Sequence, residues 1–198
     1  MIINKPFSQA CENNKTSIIS ILKSAFSAID SVLEVGSGTG QHATYFAQHL
    51  PHVTWQTSDL FLNHEGIKQW INEYPATNLL PPLMLDLSKN WPINTTAGIF
   101  TANTLHIVSW ELVVAFFEGV TTHLQSNGKL CIYGPFNYQG KFTSESNANF
   151  DMWLTERNEL SGIRDFEAII ILAKSAGLTL VKDHEMPANN RLLEFIKN

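Results

Sequence analysis

The chain is poor in cations: its 198 residues carry 13 Lys and Arg against 18 Asp and Glu, for a net charge of −5, and no basic run stands out. A surface that grips a phosphate backbone needs clustered positive charge, so nucleic acid is a disfavoured partner. Cysteine is scarce too. Cys11 and Cys131 lie far apart, Cys131 inside an apolar strand-like run, which excludes a disulfide framework and reads as two reduced thiols in a cytoplasmic protein. Met1 to Lys15 lacks an apolar signal core, and no stretch approaches the roughly 18 apolar residues of a membrane span, so a soluble chain with no membrane partner is expected. Repeats and low-complexity stretches are missing. What is present, 44% hydrophobic and 11% aromatic residues, is enough for one globular domain over 1–198 with its own core.

Hydrophobic periodicity gives the order of elements. Ile18, Ile19, Leu22 and Phe26 recur at helical spacing and predict an amphipathic helix from about Ser8 to Phe26, able to pack as a lid over 1–27. Strands and helices then alternate: strands at about 31–35, 53–58, 83–87, 97–102 and 129–134, and helices at about 40–49, 64–73 and 110–124. Ser109 caps the last of these helices and Asn127-Gly128 stops it. Such alternation predicts an α/β, Rossmann-like, doubly wound sheet, mostly parallel, with helices on both faces. After Tyr133 a polar, aromatic, turn-rich insert over 136–165 has the character of a functional loop. Helices at about 149–158 and 166–176 follow, the latter capped by Asp165 and stopped by Gly177, then strands at about 179–185 and 191–197.

The most telling run is Val32-Leu33-Glu34-Val35-Gly36-Ser37-Gly38-Thr39-Gly40, an apolar strand that breaks into a three-glycine turn. Glycine admits positive φ and lets a ligand lie against bare main chain. Gly38 to Ala43 satisfies G-x-G-x-x-A, a dinucleotide pattern, but a pyrophosphate beside the Glu34 carboxylate would be electrostatically costly. S-adenosylmethionine (SAM), with an ammonium, a sulfonium and no phosphate, suits that carboxylate better. In an open α/β sheet ligands bind beyond the carboxyl ends of the strands. Asp59, ending the second strand, is placed to accept both hydrogen bonds of a ribose diol; its alternative role is a turn or helix cap. Asp86, beside Leu87, is placed to accept from an exocyclic adenine amine or simply to form a turn.

These residues resemble class I SAM-dependent methyltransferases. From about residue 10 to the end, Asn103-Thr104-Leu105-His106-Ile107, Tyr133-Gly134-Pro135-Phe136, Thr143-Ser144-Glu145-Ser146-Asn147, Gly162-Ile163-Arg164-Asp165-Phe166 and Met186-Pro187-Ala188-Asn189-Asn190 are similar to one small methyltransferase-like family of unknown function. The resemblance implies a seven-stranded sheet whose last strand is antiparallel and SAM as cofactor, held by Glu34, Gly36, Ser37, Gly38, Gly40, Asp59, Asp86, Leu87 and Asn103. It supplies no methyl acceptor.

Beyond the fourth strand His106 is a candidate base, since an imidazole titrates near the working pH; equally, it caps a loop or bonds a main-chain carbonyl. Tyr133 is a candidate orienter or a core aromatic with a wet tip. Asn137, Asn147, Phe150, Asp151, Trp153, Arg164, Asn189 and Asn190 would form the acceptor side and suit a small polar molecule with an apolar part. For Asp165, an ion pair with Arg164 and a helix cap is the favoured reading. His49 and His52, around Pro51 with no acid or cysteine near, are read as exposed, and no metal site is expected. Two other functions stay open: an NAD-dependent oxidoreductase, and a non-catalytic SAM-binding regulatory module.

Overall fold

A computed structural model describes residues 5–198, so the first four residues of the segment read as a lid lie outside the described residues. Helix α1 (Gln9–Ala25) starts at Ser8, whose hydroxyl accepts from the Cys11 amide, and buries Ile18, Ile19, Leu22 and Ala25. There follow β1 (Ser31–Val35), α2 (Gln41–His49), β2 (Thr54–Asp59), a short 3-10 turn at Phe61–Asn63, α3 (His64–Glu73), β3 (Leu79–Met84), β4 (Thr96–Ala102), α4 (Trp110–His123) and β5 (Leu124–Gly134). The chain ends with β6 (Phe136–Asn137), α5 (Glu145–Arg157), β7 (Arg164–Asp165), α6 (Phe166–Ser175), β8 (Leu178–Met186) and β9 (Asn190–Lys197).

The seven-stranded sheet has the order β3-β2-β1-β4-β5-β9-β8. Its first five members are parallel, and β9 runs antiparallel to both β5 and β8. The expected doubly wound sheet with an antiparallel last strand is therefore observed, with that strand inserted inside the sheet. From β1 the chain winds outward to β3 and then returns to β4 on the other side, so strand order reverses between β1 and β4. A crevice opens at that switch point.

Alternation along the strands sorts side chains to two faces. Leu33, Val35, Ile99, Leu130 and Ile132 pack with Val113, Phe116 and Val120 of α4 and Ile169 of α6. Val32, Phe100, Cys131 and Tyr133 pack with Ile18 and Leu22 of α1 and Phe46 of α2. Glu34 shares the second face with Val32 and is a carboxylate buried among hydrocarbon.

Three boundaries and one cap differ from those expected. Strand β3 covers Leu79–Met84 instead of 83–87. Pro81 and Pro82 interrupt the strand signal in the sequence, yet an edge strand tolerates the missing donors. Its entry is pinned by Asn78, whose side chain donates to the carbonyls of Ala47, Leu50 and Val53. Helix α4 ends at His123, and Asn127-Gly128 lies within β5, where the register with β4 shifts and Asn127 takes φ 63°. Helix α5 starts at Glu145 because Ser144 caps the Asn147 amide at 3.1 Å; its first turn is polar, which hid it among loop residues. Asp165 precedes α6 but gives it no side-chain cap. The pairing of β6 with β7, which closes the insert on itself, was not anticipated.

Gly40, with φ 90°, begins α2, and a Cβ there would stand 3.0 Å from the Ile67 Cα. At Gly38, with φ 57°, a Cβ would meet nothing within 4 Å. Gly38→Ala should cost about 1–2 kcal/mol from its left-handed backbone alone, and Gly40→Ala roughly 2–5 kcal/mol because a backbone collision is added. Urea unfolding of the two variants measures the difference; equal losses would show that the α3 backbone yields freely.

Candidate functional site

A cavity of about 1150 Å³ opens over the switch point, running from the glycine turn to α5. Its floor is built by backbone. The amides of Gly36 and Ser37 both donate to the Ser58 carbonyl at 3.1 and 2.9 Å, which draws the turn onto the end of β2. The Gly38 amide donates to Asp59 Oδ2 at 2.7 Å. Asp59 Oδ1 accepts from the Leu60 amide and from Asn63 Nδ2, each at 2.7 Å. Asp59 therefore fastens the turn and also lines the cavity; since each carboxylate oxygen accepts more than one bond, capacity for a ligand remains.

Glu34 does not sit where the sequence reading put it. Its carboxylate lies beneath the turn, 2% exposed and outside the cavity lining, accepting from Ser37 Oγ at 2.8 Å and Trp55 Nε1 at 3.2 Å. Burial raises its pKa to about 7; the bonds from Ser37 and Trp55 pull the other way, and the nearby charge of Asp59 adds to the rise. A group so placed braces the turn and cannot directly hold a ligand ammonium. Gly40 is likewise outside the lining, whereas Gly36, Ser37, Gly38, Asp86, Leu87 and Asn103 are in it. The negative charge presented to a ligand there comes from Asp59 and Asp86. Asp86 stands in the turn after β3, and its Oδ1 accepts from the Ser88 amide and hydroxyl at 2.9 and 2.8 Å, bonds that lower its pKa.

Across the cavity, β4 ends at Ala102 and Asn103 follows with φ 56°, its amide bonded to the Tyr133 carbonyl at 2.9 Å. His106 lies one turn on, 5% exposed, edge-on to Phe150 with ring centroids 5.4 Å apart. No described protein group hydrogen-bonds its ring; only its main-chain carbonyl is engaged, by the Gly162 amide at 2.9 Å. The loop-capping alternative is therefore not what the ring does. Burial, with the charge of Arg164 adding to it, lowers its pKa to about 4, so the imidazole at the cavity wall is neutral and does not titrate near the working pH as expected.

Sequence reasoning gave α1 the part of a lid but missed the polar side chains it brings to the cavity. Asn14 Oδ1 bonds His42 Nε2 at 2.6 Å, and burial raises the Tyr133 phenol pKa while the neighbouring Asn14 pulls it the other way. Asn14, His42, Tyr133 and Cys11 all line the cavity. Burial first of all holds the His42 pKa at about 4. The available signal was Asn14 itself, a polar residue on the same helical stripe as Ile18 and Leu22.

The expected acceptor residues divide. Asn147, Phe150, Trp153 and Asn190 line the cavity, while Asn137, Asp151, Arg164 and Asn189 do not. The latter hold the frame. Asp151 Oδ1 accepts from the Ile163 amide at 2.6 Å, the Asn189 carbonyl accepts from Asn147 at 3.2 Å, and Asn137 Nδ2 reaches the Ile163 carbonyl at 3.5 Å. Arg164 forms no ion pair with Asp165; its guanidinium donates to the carbonyls of Leu105, Val108 and Leu160, clamping the His106 turn to the insert. His49 and His52 each bond a backbone carbonyl, of Tyr45 and Phe26, and His49 is half-buried. Among the described residues no group of three His, Cys, Asp or Glu is placed to hold a metal, and no helix is long and apolar enough to cross a membrane.

Fold and cavity together define a Rossmann-like methyltransferase fold. The chain belongs to the family described as Protein of unknown function (DUF938), which it matches over residues 5–197. Solved structures share the architecture at low identity. An O-methyltransferase family protein from Burkholderia thailandensis superposes with a TM-score of 0.83 at 14% identity, over 93% of this chain and 56% of that one. Human N-acetylserotonin methyltransferase, solved with SAM, gives 0.80 at 15% identity, over 96% and 53%. The O-methyltransferase NcsB1 from neocarzinostatin biosynthesis, solved with SAM and 2-hydroxy-5-methyl naphthoic acid, gives 0.79 at 15%, over 96% and 55%. The chain thus spans about half the length of these neighbours.

The buried Glu34 sets a pH dependence. Its proton is held to about pH 7 in the folded state against an ordinary carboxylate value of 4.5, so stability is lost as pH rises through that window. Glu34→Gln keeps an acceptor for Ser37 and Trp55 but has no proton to lose. Between pH 5 and pH 8 its stability relative to wild type should improve by roughly 1–3 kcal/mol, read from urea unfolding at both values; the histidines cancel in the comparison. A constant difference would show that Glu34 is ionised throughout.

Proposed function

We propose that this chain is a SAM-dependent methyltransferase acting on a hydroxyl of a small molecule. The observation that carries the reading is one continuous cavity with two chemically distinct ends: a glycine turn flanked by Asp59 and Asp86, and an aromatic and amide wall around a neutral His106. Gly38 offers open space where a side chain would stand, and the formally charged side chains at that end are both acids, which suits a cationic nucleoside and opposes a pyrophosphate. Gly36, Ser37, Gly38, Asp59, Asp86, Leu87 and Asn103 would hold the cofactor. Bound there, SAM supplies an electrophilic methyl on a sulfonium.

The protein then has two tasks. The first is to hold nucleophile and methyl in line, which by itself lowers the barrier of a displacement. Phe150, Asn147 and Asn190 position the acceptor, and Tyr133 closes the side of the cleft against α1. The second is to receive the acceptor's proton. His106 carries no protein hydrogen bond and is neutral, so its ring is free to accept one from an O–H. The naphthoic acid and N-acetylserotonin named for NcsB1 and the human enzyme are small aromatic molecules, which supports an acceptor of that scale.

Calorimetry should show SAM and its demethylated product S-adenosylhomocysteine (SAH) binding at micromolar strength and NAD far more weakly; tight NAD binding with no heat from SAM would overturn the proposal. His106→Ala should lower turnover by about 10²–10⁴-fold and keep SAM affinity within about threefold. Loss of SAM binding in the folded variant would remove His106 from the acceptor side.

A further inference from the structure

The cavity's charges are segregated, and among the described residues the one cation in its wall is unclaimed by the protein. Its formally charged lining residues are Asp59 and Asp86 at the glycine turn and Arg157 at the end of α5. The chain has three arginines. Arg164 is held by three carbonyls, and Arg191 pairs with Asp183 and Glu185. Arg157, by contrast, has no carboxylate within 4 Å and no hydrogen bond among the described residues. Its guanidinium lies over the Trp153 ring, 4.4 Å from the centroid.

The face of α5 turned to the cavity carries Asn147, Phe150, Leu154 and Arg157, spaced three and four residues apart and so on one stripe. Phe150 meets the edge of His106 and stacks on Trp153, with centroids 5.7 Å apart and planes 20° from parallel. An aromatic wall therefore runs from His106 along α5 and ends in a cation. Phe150 and Arg157 are seven residues apart, about 10 Å of helix rise. The helix C-terminus behind Arg157 adds partial negative charge, so the site suits a single negative charge better than a dianion.

We infer that the methyl acceptor is a hydroxyaryl carboxylate: its hydroxyl lies at His106, its ring on Phe150 and Trp153, and its carboxylate on Arg157. This rests on the methyltransferase reading. A planar guanidinium fork matches a carboxylate in bidentate fashion, and Trp153 lies beneath it.

The test uses the full chain saturated with SAH, with 4-hydroxycinnamate, 6-hydroxy-2-naphthoate and the methyl ester of each as calorimetric probes. At least one acid should bind at least tenfold tighter than its ester. Arg157→Gln should abolish that preference, keep ester affinity within threefold and leave SAH binding unchanged, and Arg157→Lys should restore part of the preference. Acid and ester binding equally, a preference that survives Arg157→Gln, or no binding of either acid to the SAH complex overturns this inference alone. Absence of SAH binding in the first step instead overturns the methyltransferase reading, and this inference with it.

Discussion

The cavity depends on a buried hydrogen-bonded brace. Glu34 sits in the apolar face of the sheet and accepts from Ser37 of the glycine turn and Trp55 of β2, while Ser37 Oγ accepts the Ser58 amide and Ser58 Oγ donates to the Glu34 carbonyl. A carboxylate removed from water is tolerable only when its hydrogen bonds are made or its charge is lost, and here both occur: two donors reach it and its pKa is raised to about 7. The brace locks the ends of β1 and β2 together. The Gly38 amide then meets Asp59, and the acid side of the cavity takes shape.

The opposite wall is assembled differently. It comes from the loop after β4, the insert after β5 and the β8–β9 turn, tied down by bonds to main chain. Arg164 grips the turn that carries His106, Asp151 holds the Ile163 amide, and the Asn189 carbonyl takes Asn147. Backbone carbonyls and amides left outside regular structure need partners when buried, and these side chains provide them. Polar segments that look like ligand-binding surface in the sequence are to that extent internal scaffolding. The separation has a chemical consequence: the sheet end presents acids, the insert presents aromatics, amides and one arginine, and the neutral His106 lies between them.

Much of the cofactor end was legible in the sequence. The strand, the glycine turn and the acid ending β2 are local features, set by backbone freedom at Gly36, Gly38 and Gly40 and by hydrophobic period, and φ values of 75°, 57° and 90° agree. The fold class followed from the same local alternation. Two prolines concealed β3, because an edge position that excuses missing donors is a property of the sheet and not of the segment. The polar first turn of α5 was hidden for the related reason that a capped helix needs no apolar stripe there.

Which way a side chain faces was the part that sequence could not supply. Glu34 and Asp59 are both acids at strand ends, yet one is turned under the loop and the other lines the cavity, because alternation and the packing of Trp55 decide the direction. Asn14 and His42 stand 28 residues apart and meet only when α1 crosses α2. Arg157 and Arg164 are residues of one type within one insert; the first lies free over Trp153 and the second is clamped on three carbonyls. Local sequence determined the turn, the strand order's raw material and the kinds of chemistry on hand. Tertiary packing alone decided which of those groups reach the cavity, since burial and partner choice depend on chain segments distant in sequence.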